Sequence, residues 1–296
     1  MIASSELILN ERGAVYHLDL RPEEIAHTII TVGDPGRVPV VSRHFDRIEV
    51  QRSHREFVTH TGTIGNRRLT VISSGIGTDN IDIVLNELDA LVNIDLQQRT
   101  RKPDHTSLQL FRLGTCGGLQ ADVPTDALVI STHGLGLDNL MHYYALAYSD
   151  EEQELIRAFI SHAGWDHAPL KPYLVAADPD LLKSFTSEPH QLSPYHGITA
   201  SCPGFYGPQG RQVRAPLAYP QLVDQLSSFR FQHHRITNFE METSALYGLG
   251  RLLGHRCLSI STIVANRAAG TFSSDSQKAI ERMITRFLEC WLSRES

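Results

Sequence analysis

Runs of β-branched residues alternate with helix-period segments along this 296-residue chain, and that alternation constrains the fold more than any other feature. Strand-like runs fall at 27–32, 69–73, 108–113, 127–132, 236–239 and 257–264. Most lack strict apolar/polar alternation, which suits strands buried on both faces. Between them, Ile81, Val84, Leu85, Leu88, Leu91 and Val92 follow a 3.6-residue period. Near the C-terminus, Ile280, Met283, Ile284, Phe287, Leu288, Trp291 and Leu292 form a second stripe, with Ser274 and Gln277 as its expected capping box. A third helix is predicted over 242–253, stopping at Gly254. The expected class is α/β, with a mixed, largely parallel central sheet flanked by helices. No repeat or composition break divides the chain, so 1–296 reads as a single domain. The stretches 95–107, 182–196 and 212–221 resist assignment, and the first, with Arg99, Arg101 and Lys102, reads as a solvated loop.

A hydrophobic fraction of 41% leaves ample material for a core, and no apolar run is long enough to suggest a membrane span. The start, Met-Ile-Ala-Ser-Ser-Glu, lacks the basic opening and apolar centre of a signal peptide. Cys116, Cys202, Cys257 and Cys290 show no paired spacing, so a reducing, cytoplasmic setting is expected. The formal net charge of −6 argues against general nucleic-acid affinity. Any anion site must therefore be a local gathering of arginine.

Such gatherings follow the strands, where ligands collect in open α/β sheets. After the first comes Gly33-Asp34-Pro35-Gly36-Arg37, in which glycine admits close approach and arginine can clamp an oxyanion. Arg112-Leu113-Gly114-Thr115-Cys116-Gly117-Gly118 repeats the combination and adds a hydroxyl. A third arginine stands in Ser53-His54-Arg55-Glu56-Phe57. Each alone also reads as a structural turn with a surface ion pair; together they suit a phosphate-sized anion. Asn238-Phe239-Glu240-Met241-Glu242 closes a strand and opens a helix, so its carboxylates suit either the helix dipole or a pair of sugar hydroxyls. In Gly204-Phe205-Tyr206-Gly207-Pro208-Gln209-Gly210-Arg211, Phe205 offers a stacking ring, Gln209 a donor and an acceptor, and Arg211 fixed donors. That set answers the edge of a uracil ring, although a Gly/Pro surface turn could hold the same residues.

Taken together and in order, these motifs resemble the nucleoside phosphorylase superfamily and, within it, the uridine phosphorylases. Tyr16-His17-Leu18 looks like the family's Phe-His-Leu, and Gly33 to Arg37 like its Gly-Asp-Pro-x-Arg phosphate loop. His54 to Phe57 resembles the segment whose arginine crosses a dimer interface, and Arg112 to Thr115 the Arg-Ile-Gly-Thr motif. Phe205, Gln209 and Arg211 match the pattern peculiar to uridine phosphorylases.

The resemblance implies reversible phosphorolysis of uridine to uracil and ribose 1-phosphate. Phosphate would be held by Gly33, Arg37, Arg55, Arg112 and Thr115. Ribose would meet His17, Thr115, Glu240, Met241 and Glu242, and the base Phe205, Gln209, Arg211 and Gly117. The catalytic weight would fall on Arg37, Arg112, Glu242 and Arg211. Phosphate is then a co-substrate, no cofactor or metal is expected, and Asn80 stands where bacterial relatives use a serine near an interface cation. His17 and Arg55 would complete a neighbour's site, implying a homodimer or a multiple of dimers. Partners are a pyrimidine nucleoside and phosphate, with no nucleic acid or membrane. A purine phosphorylase or a nucleosidase on the same fold is the alternative, and a catalytically silent binding protein a third. Where purine enzymes carry a proton-donating aspartate, this chain has Asn266.

Overall fold

β1 (Thr28–Val32) has the burial on both faces that its non-alternating sequence predicts: Ile29, Ile30, Thr31 and Val32 are all enclosed. It belongs to the first of two compact units in the computed structural model, which describes residues 1–187 and 191–294. The first unit comprises Met1–Arg112 with Leu249–Arg256. After β1 come α1 (Arg37–Ser42), β2 (Arg47–His54), β3 (Phe57–Ile64), β4 (Arg67–Ser73) and α2 (Thr78–Asn93). β5 (Ile94–Asp95) and β6 (Thr100–Arg101) follow as a small hairpin, so the 95–107 stretch is partly ordered into strands. β7 (Gln109–Gly118) leaves its first four residues in this unit.

β1 runs parallel to β4 on one side and to the start of β7 on the other, placing Thr31 beside Arg112. β2, β3 and β4 form an antiparallel meander. Its first hairpin escaped the sequence reading because β2 is mostly solvated and carries no apolar face to reveal it. α2 buries the predicted stripe of Ile81, Val84, Leu85, Leu88, Leu91 and Val92.

The second unit comprises Leu113–Gly248 and the chain from Cys257 onward. It contains β8 (Leu128–Gly136), α3 (Asp150–Ala163), β9 (Tyr173–Ala176), α4 (Pro179–Thr186), β10 (Tyr195–Ser201) and α5 (Leu222–Ser228). Then come β11 (Arg230–Phe231), β12 (His234–Glu240), α6 (Thr243–Leu252), β13 (Arg256–Asn266), β14 (Thr271–Phe272) and α7 (Ser276–Leu292), the last four residues of α6 and the first of β13 being counted with the first unit. β10 lies parallel between β8 and β12, while β9 and β13 run antiparallel to β8. The class is mixed α/β as expected, with the parallel pairs around β1 and β10 and more antiparallel hairpins than the sequence suggested. Much of 182–196 is likewise ordered, its ends lying in α4 and β10; residues 188–190 lie outside the described ones.

Local signals explain the helix limits. Ser149 and Glu152 form a reciprocal capping box on α3, and Gly164 closes that helix in the left-handed conformation. α7 departs from expectation. Its N-cap is Asp275, whose carboxylate accepts from the Lys278 N–H at 3.0 Å, in place of the Ser274 and Gln277 box. A carboxylate there also meets the positive end of the helix, which a serine hydroxyl cannot match.

α3 and α5 cover the second unit's strands through Leu155, Phe159, Leu222 and Leu226, joined by Phe229 just after α5, with Phe159 edge-on to both Trp165 and Phe229. Among these strands His133 of β8 is only 7% exposed. Burial, chiefly, and the nearby His234 push its pKa down to about 4, while Glu151 and Glu152 pull weakly the other way. The unfolded chain therefore binds a proton there that the folded chain refuses, so stability falls as pH drops from about 6.5 to about 4. The loss attributable to this group is about 3 kcal/mol. His133→Gln is expected to flatten that part of the pH–stability curve in urea titrations. A difference between variant and parent that stays constant with pH would refute a buried neutral His133.

Candidate active site

Of the phosphate-type residues of the first unit, Gly33, Arg37 and Arg55 sit where strands end and Arg112 lies within β7. Gly33 follows β1, and the turn after it is tied by Asp34, whose carboxylate accepts the Gly36 N–H at 2.8 Å and whose carbonyl accepts the Arg37 N–H at 3.0 Å. Arg37 thereby opens α1, half-buried. Arg112 is buried on β7 beside Thr31.

Arg55 occupies the tip of the β2–β3 hairpin, where His54 pairs with Phe57 across a two-residue loop. Its φ of +54° is left-handed, a conformation that costs a non-glycine residue about 1–2 kcal/mol. The guanidinium lies exposed over the Tyr16 ring, 5.4 Å from its centroid. Tyr16 stands edge-on to His17 and to His54, and His54 Nδ1 bonds the His17 carbonyl at 2.9 Å. The two residues expected to serve a neighbouring subunit, His17 and Arg55, thus gather on one surface cluster.

In the second unit, Thr115 is half-buried on β7 and Gly117 pairs with Phe239 of β12. A Cβ on Gly117 would come within 2.6 Å of the Phe239 ring, so only glycine lets that ring lie on the strand. Glu240 ends β12 buried. Its oxygens accept from the Ser201 hydroxyl at 2.6 Å and from the backbone N–H groups of Glu242 and Thr243 at 3.0 Å. It thus caps the start of α6. Met241 is half-buried and Glu242 buried at that same helix entrance. Ser244 braces the entrance further: its N–H meets Ser201 Oγ, and its hydroxyl donates to Asp138, which also accepts from Tyr173. Burial raises the Asp138 pKa above the ordinary carboxylate value.

The 204–211 segment folds as a tight turn, with a short 3-10 stretch at Gly207–Gln209 and Gly210 at φ +68°. Reversal there brings Gln209 and Arg211 together. The Arg211 guanidinium donates to Gln209 Oε1 at 2.6 Å and to the Phe205 carbonyl at 2.7 Å, and stacks 3.8 Å from the Phe205 ring centroid. Gln209 is 4% exposed and Phe205 51%. Burial and the charge of Arg267 hold the Arg211 pKa below the usual arginine value. Arg267, absent from the sequence expectations, donates to the Gln209 carbonyl at 3.3 Å. Its position directly after Asn266 was the available clue. Asn266 is itself fully engaged: its amide N–H groups bond the carbonyls of Gln120 and Val123, and its oxygen accepts from Ala269 N–H.

One trio among the described residues, Asp89, His105 and His255, brings ligand-type atoms within 4.8 Å of one another. The Leu108 N–H bonds His255 Nδ1, which puts the ring proton on Nε2, 3.3 Å from Asp89. That ring would have to change tautomer before it could ligate a metal. No helix among the described residues is long and apolar enough to cross a membrane.

Known proteins resemble this chain along most of its length. The sequence pattern of the phosphorylase superfamily matches residues 27–290. The chain is similar to a crystal structure of a Trypanosoma brucei nucleoside phosphorylase that shows uridine phosphorylase activity, with TM-score 0.87 and 34% identity over 97% of this chain and all of that one. It is 28% identical to the uridine phosphorylase of Thermococcus kodakarensis over 280 residues, 93% of this chain and 86% of that protein. It is equally, 28%, identical to a DeoD-type purine nucleoside phosphorylase of Listeria welshimeri, over 92% of this chain and 97% of that one.

Proposed function

The chain belongs to the phosphorylase superfamily, and we propose that within it the protein cleaves uridine with inorganic phosphate, giving uracil and ribose 1-phosphate. The observation that carries this reading is the Arg211–Gln209 pair held against Phe205. Arg211 fixes the orientation of the Gln209 amide by donating to its oxygen, and so sets which way the amide's donor and acceptor point. A uracil edge, with carbonyls flanking one N–H, is the partner that such an amide and guanidinium complement.

The reaction breaks the N-glycosidic bond and forms a bond from a phosphate oxygen to C1′, the electron pair of the broken bond leaving on uracil. Positive charge grows on the sugar and negative charge on the base. In this reading phosphate, held by Gly33, Arg37, Arg55, Arg112 and Thr115, is nucleophile and counter-charge together. Glu242 and Met241 hold the ribose, fixing the line of attack. Glu240 supports them indirectly, since its carboxylate is spent on the α6 entrance. Arg211 stabilises the departing uracil anion, with Gln209 reading the base edge and Gly117 giving it room. No resident cofactor or metal is required.

The purine alternative fares worse on one particular. A purine leaves well when N7 is protonated, and Asn266 neither titrates nor has a polar atom unengaged in the fold. We read both units as serving one activity, since the family match spans them. The clustering of His17 and Arg55 supports a homodimer, or a multiple of one, in which each subunit completes its neighbour. A cytoplasmic enzyme of nucleoside salvage is the setting this implies.

Incubation with uridine, thymidine and inosine, with and without phosphate, tests the proposal by chromatography of the products. Uracil and ribose 1-phosphate are expected from uridine, only when phosphate is present. Free ribose at a rate indifferent to phosphate would make the protein a hydrolase. A preference for inosine would overturn the reading of the base pocket.

A further inference from the structure

We propose that Glu87 is the positioning residue that sets the tautomer and direction of the His17 ring, and so the enzyme's preference for a ribose bearing a 5′-hydroxyl. The proposal rests on the reading above in which His17 meets the ribose of a neighbouring subunit, the 5′-hydroxyl being the contact that the family resemblance implies for this histidine. Glu87 lies on α2, whose apolar stripe is locked into the core of the first unit. Its carboxylate reaches back to the N-terminal segment and takes three kinds of N–H at once. The His17 N–H lies 3.0 Å from both oxygens and the Leu18 N–H 2.8 Å from Oε2. His17 Nδ1 lies 2.6 Å from Oε1.

Each bond fixes something different. The two backbone bonds, with the His54 contact to the His17 carbonyl, hold the peptide of His17 on both sides. The ring bond fixes rotation. It also fixes the proton, because an ionised carboxylate can only accept, so Nδ1 must donate. Nε2 is then the ring atom left for another partner. With Nδ1 protonated, neutral imidazole offers a lone pair at Nε2, which accepts a hydrogen bond from a sugar hydroxyl. Without Glu87 the ring could rotate and carry its proton on either nitrogen, and in the tautomer with Nε2–H the hydroxyl would have to turn a lone pair to the ring, its own proton then losing the imidazole acceptor.

The test compares kcat/KM for uridine and for 5′-deoxyuridine, which lacks the hydroxyl. Glu87→Gln keeps the shape but turns one oxygen into a donor facing N–H groups. It is expected to lower kcat/KM for uridine by about 3–10-fold, the value of one ordinary hydrogen bond, while 5′-deoxyuridine changes by less than about twofold. A purely structural role would depress both substrates together, and that result overturns the proposal. His17→Ala separates the two layers. If it abolishes the preference for uridine and Glu87→Gln does not, the assignment of Glu87 falls and that of His17 stands. If His17→Ala leaves the preference intact, both fall. A second readout needs no variant at Glu87: ¹⁵N spectra of the parent enzyme's imidazoles, with His17 assigned by its disappearance in His17→Ala. Protonated Nδ1 and bare Nε2 at His17 are expected, and the opposite tautomer would refute the proposal.

Discussion

Arg112→Met is expected to lower kcat/KM for phosphate by about two to three orders of magnitude, the largest single effect we foresee. Arg112 is 6% exposed on β7, hydrogen-bonded in register beside Thr31 at the carboxyl end of β1. A guanidinium in such surroundings meets an anion with little competition from water. Losing one partner of a buried charge pair costs about 3–5 kcal/mol. Methionine keeps much of the volume and carries no charge, so the backbone ladder on both sides of β7 should survive. Initial rates at varied phosphate, beside the urea midpoint of parent and variant, check this. A change of less than tenfold in a variant that folds normally would remove Arg112 from the phosphate site.

Arg211→Leu should lower both kcat and kcat/KM for uridine by about one to two orders of magnitude, the value of a hydrogen bond to a charged group. The reason lies in timing. Uridine binds neutral and the base leaves as an anion, so Arg211 interacts more strongly with the transition state than with the bound substrate. Burial and Arg267 already destabilise the arginine's charge, which a developing anion relieves. The loss will exceed that from Gln209→Leu in kcat, because the amide is neutral and touches the base throughout. The affinity for phosphate should hardly move. Intact uridine turnover in Arg211→Leu would show that Phe205, Gln209 and Arg211 do not form the base pocket.

How far the sequence foretold this molecule depends on where each signal is written. β1, β4, β7, β8, β12 and β13 were legible because burial on both faces forces uninterrupted apolar and β-branched runs. α2 and α7 were legible because one face meets a core. β2 and β3 were not, since solvent satisfies most of β2 and its residues follow no apolar alternation. α3 could have been found from Ser149 and Glu152, whose capping box is plain in the sequence. For the candidate site, the motifs singled out Gly33, Arg37, Arg55, Arg112 and the 204–211 turn. They offered the helix start as one role for this pair but left open that Glu240 takes it, because carboxylates in a Glu-x-Glu pair look alike until the backbone donors are placed. Glu87 was invisible for a related reason: its partners lie 69 and 70 residues away, and nothing local distinguishes it from a solvated helix glutamate.

The left-handed arginine at the β2–β3 tip bears on any attempt to harden this protein for use. Design by backbone preference would replace Arg55 with glycine, which adopts a φ of +54° at no steric cost. The gain, about 1 kcal/mol, is an appreciable share of the 5–15 kcal/mol that holds an ordinary domain together. The same change would strip the tip of its only cation and leave Tyr16 without the charge over its ring. If Arg55 serves phosphate as proposed, thermal tolerance and catalytic competence are set against each other at one residue. A stabilisation campaign should leave this turn untouched and look for its gains in the buried histidines and the solvated face of β2.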